Sequence, residues 1–293
     1  MKKNVLWMEL LLFAVALVWA VNFSVAKVAL AEIDPMSFNA LRFVMAAGLV
    51  WGIIAAIGQW RPLRRRDWPE LISLSLLGSL LYQLLFIFGL QRTFSSNAAV
   101  MVGTIPVWVA VLSHLFTQER MNRKKALGVA LAFSGVVLIL CARPEGVRWS
   151  SASFVGDLLT LAAAVAFAGY TVISKRCLHY YPPLQLAAIS MSIGGASLVV
   201  AGLPSLLRLP WRSISWVGYA GVVYSGLFSL GLAYVIWNYG LQRVGAVRTA
   251  TYQNMVPVMG LVLGMLVLGE KMAPGQLLGA LVVIAGIIQT RRR

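Results

Sequence analysis

Apolar residues run along the chain in blocks of about 20, each closed by a short polar or proline-bearing stretch, the pattern of successive membrane-crossing helices. At a rise of about 1.5 Å per residue, one such block crosses a hydrocarbon core of roughly 30 Å. The blocks predict ten spans: 5–31, 36–58, 71–91, 97–116, 125–141, 154–175, 183–203, 216–239, 249–268 and 274–290. Pro35, Pro62, Pro69, Pro144, Pro182, Pro204, Pro210 and Pro274 lie in or beside the connections, where a missing N–H costs little. A backbone in lipid has to satisfy its polar groups internally, so the expected fold class is all-α. No connection is long enough to form a separate soluble domain.

One stretch occurs twice. Residues 89–138 open on Gly89-Leu90-Gln91-Arg92, pass Pro106 and Glu119-Arg120-Met121, and close on Gly128 and Gly135. Residues 240–289 repeat this without a gap as Gly240-Leu241-Gln242-Arg243, Pro257, Glu270-Lys271-Met272, Gly279 and Gly286. About 15 of roughly 50 positions are identical, the mark of a duplicated architecture. The first spans of the halves also correspond, Glu9 with Asp157, Trp19 with Phe167, Asn22 with Tyr170 and Lys27 with Lys175. The halves divide at 1–146 and 147–293. Five spans per half is an odd number, so the second half enters the membrane from the opposite side. Such inverted repeats surround a site near the midplane and suit alternating access.

Composition agrees: 60% of residues are hydrophobic and 12% charged, with a formal charge of +16. That charge does not point to nucleic acid, because the basic residues sit between spans and not on one folded face. With the N-terminus inside, about 17 basic residues near span ends are cytoplasmic and about 6 are outside, which makes both termini cytoplasmic. The first apolar run carries Asn22, Ser24 and Lys27 and is too long for a cleaved signal peptide. Cys141 and Cys177 fall at span ends on opposite faces, which does not favour a disulfide. Neither has metal-like neighbours, and no Walker segment, metal cluster or nucleophile with a base is present. An enzyme, a cofactor and a resident metal are not expected.

The residues Trp19-Ala20-Val21-Asn22-Phe23, Leu41-Arg42-Phe43 and the twice-used segment ending in Glu119-Arg120 and Glu270-Lys271 resemble the EamA family of the drug/metabolite transporter superfamily. The resemblance covers almost the whole chain. It implies ten transmembrane helices as two inverted five-helix repeats, in a bacterial inner membrane. It also implies a central cavity lined by helices 1–4 and 6–9, with helices 5 and 10 peripheral.

Candidate substrate-binding residues come from polar and aromatic side chains inside the spans. Asn97, Met101, Thr104 and Trp108 form one stripe of the fourth span, and Arg248, Tyr252, Met255 and Met259 form the equivalent stripe of the ninth. Trp19 and Asn22, Tyr82 and Phe86, Tyr170, and Tyr234 with Asn238 join them, since such groups persist in hydrocarbon mainly where a partner or water meets them. Trp7, Trp51, Trp60, Trp68, Trp149, Trp211 and Trp216 read as an interfacial belt. Pro106 and Pro257 lie at matching positions inside the fourth and ninth spans, as packing kinks or as hinges for alternate closure. Lys27 and Arg42 stand near the outer ends of their helices, placed either to snorkel to water or to offset a substrate carboxylate. No acidic residue lies at mid-depth. The expectation is an exporter of amino acids or related small amphipathic metabolites, acting in the bilayer as a monomer or homodimer. The alternatives are a lipid or headgroup-carrier translocase and a multidrug efflux protein.

Overall fold

A computed structural model describes residues 2–93, 95–117, 121–142, 151–268 and 273–291. Every described regular element is helical. In chain order the α-helices are α1 (Lys2–Ala29), α2 (Pro35–Ile57), α3 (Trp68–Ser75), α4 (Tyr82–Arg92), α5 (Ser95–Gly103), α6 (Ile105–Phe116) and α7 (Arg123–Cys141). They continue as α8 (Ser151–Cys177), α9 (Pro183–Arg208), α10 (Trp216–Tyr224), α11 (Ala233–Val244), α12 (Ala246–Thr251), α13 (Met255–Leu268) and α14 (Pro274–Arg291). Seven continuous helical stretches are long and apolar enough to cross a membrane: Val5–Ala26, Pro35–Ile57, Arg65–Arg92, Arg123–Cys141, Ser153–Cys177, Pro183–Arg208 and Trp216–Val244. Val100–Phe116 and Pro274–Thr290 are shorter apolar helices. The outward surface is apolar as well, with Val200 74%, Leu207 78% and Trp216 79% exposed, a surface matched to lipid rather than water.

Four expected spans depart from regular α-helix, in two repeat-related pairs: two widen and two break. Between α3 and α4, Leu76–Leu81 widens into a π-helical segment, and Ser225–Leu232 does so between α10 and α11. Carried upstream, the repeat register superposes Leu76–Leu81 on residues 227–232. The fourth span breaks at Thr104 between α5 and α6, and the ninth breaks at the 3-10 turn Tyr252–Asn254 between α12 and α13. Pro106 and Pro257 therefore do not bend continuous helices. Each stands in the first turn of the helix after the break, where no intrahelical acceptor is owed an N–H. The seventh span runs on to Arg208 with Pro204 inside it.

The helix ends gather in two groups, as alternating passages require. At the end that carries the N-terminus, Gln185 exchanges hydrogen bonds with the Arg61 backbone, donating at 2.7 Å and accepting at 2.9 Å. There Lys175 also donates to Leu241 O at 2.6 Å. At the other end Glu32 meets Ser215, and Thr93 donates to Asp157. The Ser215 N–H and hydroxyl reach Glu32 at 2.6 and 2.7 Å and hold its carboxyl below the usual carboxylate range.

The halves meet about a pseudo-two-fold. α7 and α14 lie antiparallel with backbones nearly touching: a Cβ added at Gly128 would lie 2.8 Å from Gly286 O, and one at Gly135 2.6 Å from Gly279 O. Gly128 corresponds to Gly279 and Gly135 to Gly286, so each contact maps onto the other when the halves are exchanged. The same holds elsewhere. Gly89 packs on Thr160 of α8, and Gly240 packs on Leu12 of α1, the position that matches Thr160. Small residues allow this approach in lipid, where close packing takes over from the hydrophobic effect.

Gly135→Ala should cost about 1–3 kcal/mol by overpacking and lower the thermal midpoint in detergent, whereas Gly48→Ala, which meets nothing within 4 Å, should not. Because Glu32 titrates below its unfolded value, its contact contributes stability above that value and loses it as pH falls through the folded one. Ser215→Ala should therefore flatten the fall in melting temperature on acidification, read by melts from neutral pH to the acid limb.

Candidate functional site

Seven aromatic rings from both halves pack together at the centre. The first half contributes Trp19 from α1 and Tyr82 and Phe86 from α4; the second contributes Phe167 and Tyr170 from α8 and Tyr234 and Trp237 from α11. Ring centroids lie 4.9 Å apart for Tyr82–Phe167, 5.2 Å for Trp19–Trp237 and 5.8 Å for Tyr170–Tyr234. Trp19 meets Phe167 and Tyr234 edge to face at 6.5 and 6.4 Å. Each such pair adds about 0.5–1.5 kcal/mol beyond area burial, so the rings help to hold the halves together alongside the ion pairs Arg176–Glu70 and Arg248–Glu9.

Most polar edges of this cluster are matched across spans, the exception being the buried Trp237 indole N–H, which has no partner among the described residues. Trp19 Nε1 donates at 3.0 Å to Ser229 O, a carbonyl of the widened π segment. Ser225, in the same segment, donates to Asn22 Oδ1 at 2.6 Å. The Tyr170 hydroxyl donates to Asn238 Oδ1 at 3.3 Å, and Asn238 Nδ2 donates to Pro183 O at 3.4 Å. Pro183 also lines an open cleft of about 490 Å³ at the N-terminal end, with Trp60, Arg61, His179, Tyr239 and Gln242. Asn238 and Pro183 thus stand between the cleft and the rings.

Arg42 does not snorkel. It is 6% exposed and turns into the protein, donating from Nε and Nη2 to Asn39 Oδ1 at 2.9 and 2.6 Å and from Nη2 to Gln83 Oε1 at 2.5 Å. Its guanidinium also lies 5.1 Å from the Phe38 ring centroid. Gln83 directly follows Tyr82 at the start of α4, which places this network beside the ring cluster. The ion pairs among the described residues are Arg66–Asp67, Arg176–Glu70 and Arg248–Glu9, so Arg42 meets only neutral dipoles there. The physical reason for its inward turn is supply: two amide oxygens on α2 and α4 stand where water would otherwise be needed.

The remaining candidates are placed less centrally. Tyr252 is buried in the 3-10 turn, and Met101, its repeat equivalent, is partly buried at the end of α5. Trp108 is partly buried on α6 with its indole N–H unpartnered. The side chains of Asn97 and Lys27 lie outside the described residues, as do Glu119, Arg120, Trp149, Glu270 and Lys271. Arg248 pairs with Glu9 and ties α12 to α1 at the N-terminal end. The sequence reading passed over Asn39, Gln83 and Trp237. Each was within reach of it: Asn39 stands one helical turn before Arg42, and the other two adjoin Tyr82 and Asn238.

The sequence model of the EamA-like transporter family matches residues 6–141 and again 154–291. An uncharacterized transporter of Archaeoglobus fulgidus is 30% identical over 96% of this chain and 96% of its own length. The uncharacterized transporter YyaM of Bacillus subtilis is 29% identical over 91% of this chain and 88% of its own. A probable terminal-alkyne amino-acid exporter of Streptantibioticus cattleyicolor is 28% identical over 94% and 90%. A crystal structure with 20% identity superposes with a TM-score of 0.80 over 96% of this chain and 95% of its own, a likeness of fold.

Gln83→Leu removes one acceptor from a buried cation and should destabilise the protein by about 1.5–3 kcal/mol, measured as a lower unfolding midpoint in detergent. Gln83→Glu, which keeps an acceptor and adds a charge opposite Arg42, should not.

Proposed function

We propose, from the premise that this multi-pass membrane protein belongs to the EamA-like transporter family, that it exports small amphipathic metabolites, amino acids first among them, by alternating access. The observation that carries this reading is the ring cluster built jointly by the two halves, with matched polar groups at its edge and one buried cation beside it. Rings and aliphatic edges suit the apolar part of such a cargo, and few placed polar groups suit its head. The amino-acid exporter among the relatives supports the same class.

Ten crossings divide into repeats 1–146 and 147–293, in a bacterial inner membrane with both termini cytoplasmic. On that topology the 490 Å³ cleft opens to the cytoplasm, where an exporter loads. Cargo passes the Asn238–Pro183 contact, and the rings part to receive it between Trp19, Asn22, Arg42, Tyr82, Phe86, Tyr170, Tyr234 and Asn238. Asn97, Met101, Trp108 and Tyr252 line the pathway on the fourth and ninth spans. The paired π segments and the paired breaks before Pro106 and Pro257 are the joints on which two hairpins move, one of the third and fourth spans and one of the eighth and ninth, because a wide or broken turn bends where a regular helix does not. One copy of the chain supplies every group named.

The test is transport by the purified chain in liposomes against a panel of amino acids. Tyr82→Ala and Asn238→Ala should each slow movement of an apolar amino acid by about tenfold or more while the folded yield stays unchanged, the loss of roughly one good contact. Unchanged transport in both variants removes the site. Movement of a labelled lipid with no soluble compound would assign the protein to lipid translocation instead.

A further inference from the structure

We infer that the site takes its cargo as a carboxylate and holds that group on Arg42 and Asn39, so that the cargo needs its acid group and not its ammonium. The inference rests on the transport reading above and specifies its substrate class.

Donors outnumber acceptors around Arg42. Arg42 spends Nε and Nη2 on Asn39 Oδ1 and Gln83 Oε1, and among the described residues Nη1 carries no hydrogen bond. The guanidinium fixes the orientation of the Asn39 amide, since only its oxygen can accept from a cation. That leaves Asn39 Nδ2 without a partner, on a residue with no exposed surface. Two unmatched donors stand on neighbouring side chains of α2, Asn39 Nδ2 fully buried and Arg42 Nη1 on a residue 6% exposed. Buried donors without acceptors are costly, and the chemistry that relieves both together is a planar anion with two oxygens. An ammonium has only donors to offer and would relieve neither.

Charge points the same way. Among the described acids, Glu9 pairs with Arg248, Glu70 with Arg176 and Asp67 with Arg66. Glu32 is bound to Ser215, Asp34 caps α2, and Asp157 accepts from Thr93. Each is held by its own partner towards one end of the molecule, so none faces the ring cluster to receive a cationic head. A cargo cation would find Arg42 as a like charge and only ring faces as partners. A cargo anion would find a buried cation that now meets nothing but neutral dipoles. Gln83, which holds Arg42, adjoins Tyr82 on α4, so a carboxylate on Arg42 stands beside the rings that suit its apolar tail. The asymmetry selects acids and zwitterions over amines of the same skeleton.

Three compounds that share one skeleton test this in liposomes containing the full chain: L-phenylalanine, 3-phenylpropionate, which lacks the ammonium, and 2-phenylethylamine, which lacks the carboxylate. Binding to the detergent-solubilised protein is followed in parallel by quenching of tryptophan fluorescence. The expected result is that phenylalanine and 3-phenylpropionate bind and move within about tenfold of each other, while the amine is weaker by at least that factor. Arg42→Gln should abolish the preference for the acids, and Arg42→Lys, which keeps the charge, should restore part of it. The wild-type comparison stands by itself if Arg42→Gln does not fold. An amine that moves as well as the acids overturns the carboxylate site and leaves the transport reading intact. Acids that bind without moving overturn the transport reading and support the site. Compounds that neither bind nor move overturn both.

Discussion

Lipid offers no hydrogen-bond partner, and this one constraint governs the arrangement of nearly every polar group in the protein. Backbone groups meet it by forming helices, and polar side chains meet it by finding one another across spans. Trp19 reaches a carbonyl of a widened turn, Asn22 takes the Ser225 hydroxyl, and Tyr170, Asn238 and Pro183 form a chain. Arg42 is the extreme case, a cation whose cost is only partly offset by two amide oxygens and a ring. A fold under this constraint keeps an unmatched donor such as Asn39 Nδ2 only at some expense.

The second organising fact is symmetry. The glycine contacts of α7 with α14 exchange under the repeat, as do the dockings of Gly89 on α8 and Gly240 on α1. What each half does at one end of the molecule, the other does at the opposite end. Glu9 and Asp157 occupy matching positions, yet one holds Arg248 and the other holds Thr93. The matching acids thus hold different partners, and a cleft opens at each end, one beside Pro183 and one beside Glu32 and Pro210.

Much of this was legible in the sequence because it depends on local pattern. Apolar runs marked the helices, seven of them long enough to cross a membrane, the ungapped duplication matched the two family segments, and the spacing of Trp19, Tyr82, Tyr170, Tyr234 and Asn238 picked out five residues that do meet around the ring cluster. The interruptions were not legible. A π segment adds a single residue to a turn, and apolar periodicity in a chain this hydrophobic is too weak to register the slip at Leu76–Leu81 or Ser225–Leu232. Pro106 and Pro257 signalled a disturbance, but whether a proline kinks a helix or starts one depends on the preceding turn. The inward course of Arg42 was hidden for another reason: it is decided by Asn39 and Gln83, and Gln83 lies on a different span.

The account's central claim is that the ring cluster is a passage reached from each face in turn, and accessibility measures that most directly. With Cys141 and Cys177 replaced by serine, a single Phe86→Cys reporter in oriented vesicles is exposed to a membrane-impermeant maleimide from one side or the other. The account predicts labelling from both faces, with reagent bound from one side blocking the other. Labelling from a single face under every condition, or from neither, would contradict it.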